Sequence, residues 1–283
     1  MADAGVGRGA SDVASGAASE TLIPELLDAT LVLVRHGESE FIAEGRFQGH
    51  AETPLSPVGL RQAALVAERL AHPHDPPALP LPVGPLLEVV HSPLRRTTQT
   101  AEAIVERLAT SPPMRAEPGL LEIAQGEWEG LHRDEVAARY GDILAAWRRS
   151  PMTAWAPGGE SLAAVQARVR PAVAGMLATL AEGGVPGSLE RSQVSGYMDE
   201  LPTHPWSIAV AHDGVFKIAL LTLFDLPLER FWMWTMDLAA ITVVEFRAGR
   251  PVLRAHNLTG HLAPLLDEEA QEEQEERSRS GAL

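Results

Sequence analysis

The sequence predicts an α/β fold built on parallel strands, and three stretches of the chain carry that expectation. Leu31-Val32-Leu33-Val34, Leu86-Leu87-Glu88-Val89-Val90-His91 and Ser207-Ile208-Ala209-Val210-Ala211 are short apolar runs, each followed by a loop and then a helical pattern. Runs of this kind read as strands buried on both faces. Each ends in a polar cluster: Arg35-His36-Gly37, Ser92-Pro93 and His212-Asp213-Gly214. Ligands of open α/β sheets bind at the carboxyl ends of the strands, so chemistry is expected at these clusters.

In chain order, residues 1–20 are nearly all small or polar and too weakly apolar to fold alone, which predicts a disordered tail. A strand at 28–34 leads into a long glycine-punctuated loop, Phe41 to Leu55, of a length that usually serves function. Ser56 as N-cap and Pro57 at the first helical position open a helix to about Leu70, with Leu60, Ala64, Leu65 and Leu70 on its apolar side. The proline-rich segment 73–85 reads as a surface connection. His72-Pro73-His74-Asp75 beside it reads as solvated loop, because prolines hold such side chains apart and no further ligand is in view. After the second run, Ser92-Pro93 starts a helix to about Leu108 with Arg95 and Arg96 in its first turn. A cation there opposes the helix dipole at a cost of up to about 1 kcal/mol unless an anion sits beside it. One of the two arginines is therefore expected to face the pocket.

A short extended piece at Met114 to Ala116 precedes the loop Leu120 to Gly130, whose Glu122, Glu127 and Glu129 can place an acid over a site. A helix at 132–149 follows, and Pro157-Gly158-Gly159 breaks the chain before Ser161 caps a helix through about Leu180. Glu160 and Ser161 read equally as a turn with its cap or as residues near the site. Segment 182–205, rich in Gly, Pro, Ser and acids, reads as a flexible insertion. A helix from Val215 to Phe224, a hairpin of Ile241–Arg247 with Val252–Ala255 turning at Ala248-Gly249-Arg250, and an acidic tail at 267–283 complete the chain. One domain, 21–266, is expected between the two tails, with the insertions near 73–85 and 182–205 supplying the pocket walls.

Composition narrows the function. The 283 residues are 45% hydrophobic, ample for a large core, and the net charge of −15 argues against nucleic acid or an acidic membrane as partner. Arginines must then make a local positive pocket for any anionic substrate. The single lysine is Lys217. With no cysteine there are no disulfides or thiolate metal sites, which fits a cytoplasmic protein, and no apolar run is long enough to span a bilayer. The amino terminus lacks the basic start and apolar stretch of a secretory signal.

Arg35 supplies a planar cation suited to phosphate, and Gly37 lets the chain pass close to a ligand with backbone N–H groups turned toward it. His36 thus sits in a prospective anion pocket, and His212 repeats its context at the end of another apolar run. Taken in order, several pieces resemble the histidine phosphatase superfamily, the fold shared with cofactor-dependent phosphoglycerate mutase. They are Arg35-His36-Gly37-Glu38-Ser39, Arg46-Phe47-Gln48-Gly49 with Pro54-Leu55-Ser56, Ser92-Pro93-Leu94-Arg95-Arg96-Thr97-Thr98-Gln99-Thr100-Ala101, Glu122 with Gly126-Glu127-Trp128-Glu129-Gly130, Pro157-Gly158-Gly159-Glu160-Ser161, and Ala211-His212-Asp213-Gly214.

The resemblance implies a three-layer α/β/α architecture with a mostly parallel central sheet and hydrolysis of a small phosphorylated metabolite without metal or other cofactor. His36 would take the phosphoryl group as phosphohistidine. Arg35, Arg96 and His212 would hold its equatorial oxygens, where the charge of a loose transition state gathers. Glu122 would protonate the leaving alkoxide and later activate water, which requires a carboxyl made protonated by burial or by neighbours such as Glu127 and Glu129. His36 must instead stay neutral, as adjacent cations favour. Gly37, Ser39, Gln48, Gly49 and Asp213 would line the substrate.

Ile42 stands where the family commonly has asparagine, removing one side-chain hydrogen bond to phosphate for which Gln48 and the Gly49 backbone would compensate. Asp213 stands where glycine is common and adds a negative charge that would favour less anionic substrates. A mutase and a non-catalytic phosphate-binding module remain alternatives. The Gly-x-Trp-Glu-Gly loop looks like that of hydrolytic members, and a mutase would need further basic residues. A homodimer is compatible with all of this.

Overall fold

Strand β1 (Ala29–Arg35) is apolar at every position but Thr30 and Arg35, because it lies in the middle of a sheet covered on both faces. The computed structural model describes residues 21–184 and 201–265, so both expected tails and most of the 182–205 insertion lie outside the described residues. The sheet is completed by β2 (Leu86–His91), β3 (Met114–Ala116), β4 (Trp206–Ala211), β5 (Ile241–Arg247) and β6 (Arg250–Leu258), in the order β3-β2-β4-β1-β5-β6. Pairings β1 with β4, β4 with β2 and β2 with β3 are parallel, whereas β5 and β6 join antiparallel as a hairpin beside β1. Its turn puts Ala248 and Gly249 at φ of 48° and 73°, the left-handed pair that matches the twist of a two-residue hairpin loop.

Alternation along the strands sorts side chains into two cores. Leu31, Leu33, Ala209, Ala211, Val244 and Phe246 face helices α5 (Leu162–Glu182) and α6 (Asp213–Leu223). Val32, Val34, Ile208, Val210 and Val243 face α2 (Pro57–Ala71) and α3 (Arg95–Arg107). The result is the three-layer α/β/α arrangement with a mostly parallel central sheet. The short α1 (Glu40–Ala43) and the longer α4 (Arg133–Arg149) lie outside those layers in the chain order, and Trp128 anchors a third cluster with Val136, Leu144 and Ala156.

Several local expectations need correction. Ser56 does cap α2, its Oγ accepting from the Gly59 N–H at 3.0 Å, but the buried stripe is Gly59, Ala63, Val66, Ala67 and Leu70, while Leu60 is 51% exposed. Gly59 rotates the helix, since a Cβ there would stand 1.8 Å from the Glu38 carbonyl oxygen: the backbones touch. Helix α3 begins at Arg95 with Leu94 as N-cap, because the Ser92 hydroxyl is drawn instead to His212. Helix α6 starts at Asp213 rather than Val215.

The segment 73–85 is more than a surface connection, for Leu79 and Leu81 are buried in the core beneath α2. It lies at the amino ends of the strands, where Val83 N–H donates to Pro202 O (2.8 Å), Trp206 N–H to Pro85 O (3.0 Å) and Thr30 N–H to Pro205 O (3.0 Å). The described parts of both insertions therefore sit at the opposite end of the sheet from His36 and do not wall its pocket.

Within a helix, glycine to alanine ordinarily gains up to about 1 kcal/mol. At Gly59 the contact with Glu38 reverses the sign. Gly59→Ala is expected to destabilise the chain by about 1–3 kcal/mol in urea unfolding, while Leu60→Ala stays within about 0.5 kcal/mol of the parent.

Candidate active site

The carboxyl ends of β1, β2 and β4 bring the sequence-selected residues together. His36 follows β1, with its backbone N–H on Ala211 O (3.0 Å), and His212 follows β4. Both rings are buried, edge to face with centroids 5.0 Å apart. The Nδ1 of His36 lies 2.6 Å from the Gly37 carbonyl, which only accepts, so Nδ1 carries the proton and Nε2 is left with its lone pair. Burial, then the fields of Arg96 and Arg35, hold this imidazole well below the ordinary histidine range. It is neutral at neutral pH, with desolvation contributing more than the cations that the sequence pointed to.

Gly37 itself earns its place by packing. A Cβ there would lie 2.5 Å from Gly59 O, and the Gly37 N–H is directed at Thr100 Oγ1 (3.4 Å), while that of Glu38 donates to Gln62 (2.7 Å). These amides are spent within the protein rather than turned toward a ligand, contrary to expectation.

Of the two first-turn arginines, Arg95 is exposed and Arg96 wholly buried. Arg96 donates from its two terminal nitrogens to Ala51 O and Gly49 O, both at 2.9 Å, which pins the loop after Gln48. Burial brings its pKa down to about 10, still a cation at neutral pH. Its Nε is buried without a partner, as are Arg35 Nε and His212 Nδ1. Arg35 is oriented by an Nη1 hydrogen bond to Met236 O, and His212 by Ser92 Oγ, 2.9 Å from its Nε2. Desolvation and Arg96 keep His212 neutral too. In the tautomer that accepts at Nε2 from the Ser92 hydroxyl, the ring proton resides on Nδ1. The three orphaned donors are then available to an anion, whose binding would relieve the cost of burying them.

Glu122 reaches the same place from the loop before α4. Its carboxylate accepts from the N–H groups of Ile123 (2.9 Å), Val215 (3.2 Å) and Gly214 (3.3 Å), the latter two at the start of α6 directly after His212. Desolvation and then the charge of Asp213 raise its pKa, overcoming those amides and Arg96. Glu127 and Glu129 are not the cause. Glu127 accepts from the Tyr140 hydroxyl (2.8 Å), and Glu129 from the N–H groups of His50 and Gln125 (2.9 Å each).

The remaining candidates divide. Gly49, at φ 51°, has no room for a Cβ, which would meet Glu129 Oε1 at 2.1 Å. Ser39 is fully buried and committed to structure: its Oγ caps α1 at the Ile42 N–H (3.3 Å) and donates to Gln48 Oε1. Gln48 Oε1 also accepts from Thr53 (3.0 Å), so the two hydroxyls fix its amide orientation. Asp213 is not an isolated negative charge, being paired with Lys217 at 2.7 Å. Among the described residues no three potential ligands gather to hold a metal, and no helix is long and apolar enough to cross a membrane.

Two residues near the site were not singled out from sequence. Arg168 donates to Glu122 O (2.8 Å) and to the Glu160 carboxylate, and His50 places Nε2 2.7 Å from the same Glu122 oxygen. The Pro-Gly-Gly-Glu break was the available signal for the first. Nothing in the local sequence marks the second.

Comparison with known proteins identifies the family. The chain is 30% identical over 236 residues to phosphoserine phosphatase 1 of Hydrogenobacter thermophilus, covering 82% of this chain and 93% of that protein. It is 34% identical over 202 residues to the glucosyl-3-phosphoglycerate phosphatase of Mycobacterium tuberculosis, covering 71% and 78% respectively. The structure of mycobacterial glucosyl-3-phosphoglycerate phosphatase with inorganic phosphate superposes with a TM-score of 0.62 at 32% identity, covering 82% of this chain and 98% of that one. Since the sequence profile of the histidine phosphatase superfamily (branch 1) also matches residues 31–185 and 191–259, the chain belongs to that superfamily.

Proposed function

We propose that this histidine phosphatase hydrolyses small phosphomonoesters through a covalent phosphohistidine on His36. The observation that carries the reading is the cluster of buried, unpartnered donors, Arg35 Nε, Arg96 Nε and His212 Nδ1, around a neutral imidazole whose Nδ1 is tied to a carbonyl. In the first step the Nε2–P bond forms as the ester P–O bond breaks, and Glu122 gives its proton to the departing oxygen. In the second, the Glu122 carboxylate takes a proton from water, whose oxygen bonds to phosphorus as Nε2–P breaks and phosphate leaves. The cations stabilise charge on the equatorial oxygens in both steps, so these residues suffice without a metal.

The names of the relatives, phosphoserine phosphatase and glucosyl-3-phosphoglycerate phosphatase, support a small phosphorylated metabolite as substrate. The net charge of −15 supports the same class over nucleic acid, and the absence of cysteine supports a cytoplasmic setting. Substrate-facing roles for Gly49, Gln48 and Asp213 are part of the same reading, supported by Gly49 lying in the loop that Arg96 holds, by Gln48 preceding it and by Asp213 directly following His212. Hydrolysis is favoured over a mutase because the described cations at the centre are those already needed by one phosphoryl group.

On incubation with a substrate, base-quenched wild-type chain is expected to carry phosphohistidine and His36→Ala none. With 3-phosphoglycerate and a bisphosphate primer, free phosphate should accumulate. Formation of 2-phosphoglycerate without phosphate release would replace the phosphatase reading by a mutase.

Glu122→Gln is expected to lower kcat/KM for an alkyl phosphate by about 10²–10⁴-fold, and for p-nitrophenyl phosphate far less, because nitrophenolate departs without a proton. For an alkyl phosphate, activity should persist on the acid side to below the ordinary histidine pKa, since His36 resists protonation. It should fall on the alkaline side as Glu122 loses its proton. Asp213→Asn removes a charge that raises the Glu122 pKa, so the alkaline limb should move to lower pH. A limb that stays or moves upward in the rate profile contradicts the assignment of Glu122 as acid.

A further inference from the structure

The proton donor proposed above sits on a loop without regular structure, and its backbone is gripped from one direction. Arg168, in the second turn of α5, uses the whole fork of its guanidinium. Its Nε donates to Glu160 Oε1 (2.9 Å), one Nη to Gly119 O (3.0 Å) and Leu121 O (2.7 Å), and the other to Glu122 O (2.8 Å) and Glu160 Oε2 (2.7 Å). All five donor positions are taken. Glu160 Oε2 accepts in addition from the Ala124 N–H (2.9 Å), and His50 Nε2 donates to the Glu122 carbonyl (2.7 Å) from the loop that Arg96 pins. The Arg168–Glu160 pair therefore fixes backbone groups of residues 119, 121, 122 and 124, on both sides of the acid.

The two ends of Glu122 point to different partners. Its carbonyl goes to Arg168 and His50, and its carboxylate to the Gly214 and Val215 amides at the start of α6. Arg168 is thus out of contact with the reacting groups and acts through the main chain. A planar fork can hold three carbonyls and a carboxylate at once, which a lysine ammonium cannot. Misplacing a catalytic group by about 1 Å costs on the order of 10²-fold in rate.

We propose that Arg168, held by Glu160, is the positioning residue of Glu122, setting where its carboxyl meets the leaving oxygen. The proposal rests on the phosphatase reading, and its effect should appear only where a proton must be delivered. Arg168→Lys and the charge-balanced double variant Glu160→Gln/Arg168→Gln would be assayed with glycerol 3-phosphate and p-nitrophenyl phosphate. The measurement is kcat/KM, which reports steps through the first phosphoryl transfer.

Both variants are expected to lose about 10–100-fold with the alkyl ester and less than about threefold with the nitrophenyl ester. Phosphohistidine on His36 should still form from the nitrophenyl ester. Equal losses on the two esters, or none on either, would overturn the positioning role, as would equal losses in Glu160→Gln alone should the other variants fail to fold. Absence of phosphohistidine and phosphate release in the unsubstituted chain would instead remove the phosphatase reading and this inference with it.

Discussion

Everything at the centre of this fold depends on a guanidinium being buried where a neutral imidazole must work. Arg96 is wholly inside the protein, and its terminal nitrogens donate to the carbonyls of Gly49 and Ala51 rather than to a carboxylate. Carbonyl dipoles make the burial tolerable without cancelling the charge. The uncancelled field, added to desolvation, keeps His36 and His212 neutral, which is the state that the proposed attack by His36 requires. Arg96 also fastens the loop that carries Gly49 and His50, and thereby couples its own place to that of Glu122, whose carbonyl His50 holds.

That arrangement requires backbone to approach backbone. Gly37 and Gly59 lie against one another where the loop after β1 meets α2, and Gly49 leaves no space for a side chain beside Glu129. Near the acid, Gly126 at φ 46° lies against Gly158 and Gly159, seating the 122–130 loop on the break before α5. These contacts carry glycine's larger loss of conformational entropy on folding. They are offset by the two apolar cores on either face of the sheet, which the strands β1, β4 and β5 supply from alternate positions.

Opposite protonation demands are met by environment. Histidine and glutamate are both desolvated, and desolvation disfavours charge on each, lowering the pKa of His36 and raising that of Glu122. One physical term thus favours a neutral imidazole and a protonated carboxyl at neighbouring positions, as the proposed mechanism needs. The nearby charges refine it with opposite sign: arginines act on the imidazole, and Asp213, held by Lys217, acts on the carboxyl.

The sequence by itself determined the order of elements and the ends of the strands that matter, because Leu31–Val34 and Ser207–Ala211 carry an unbroken apolar signal and the polar residue after each is adjacent in the chain. His36, Arg35 and His212 were legible for that reason, and Glu122 through its position in a family-like loop. The choice of Arg96 over Arg95 came from the family resemblance, since the buried stripe of α3, Arg96, Thr97, Thr100, Ala101 and Ile104, is too polar to announce a face. Tertiary structure alone decided the face of α2, the placing of the described parts of the two insertions away from the pocket, the loss of the Gly37 amide to Thr100, and the grip of Arg168 on Glu122. Each depends on contacts between segments far apart in sequence, where the distance between backbones, rather than the polarity of neighbouring residues, sets which group is left for a ligand.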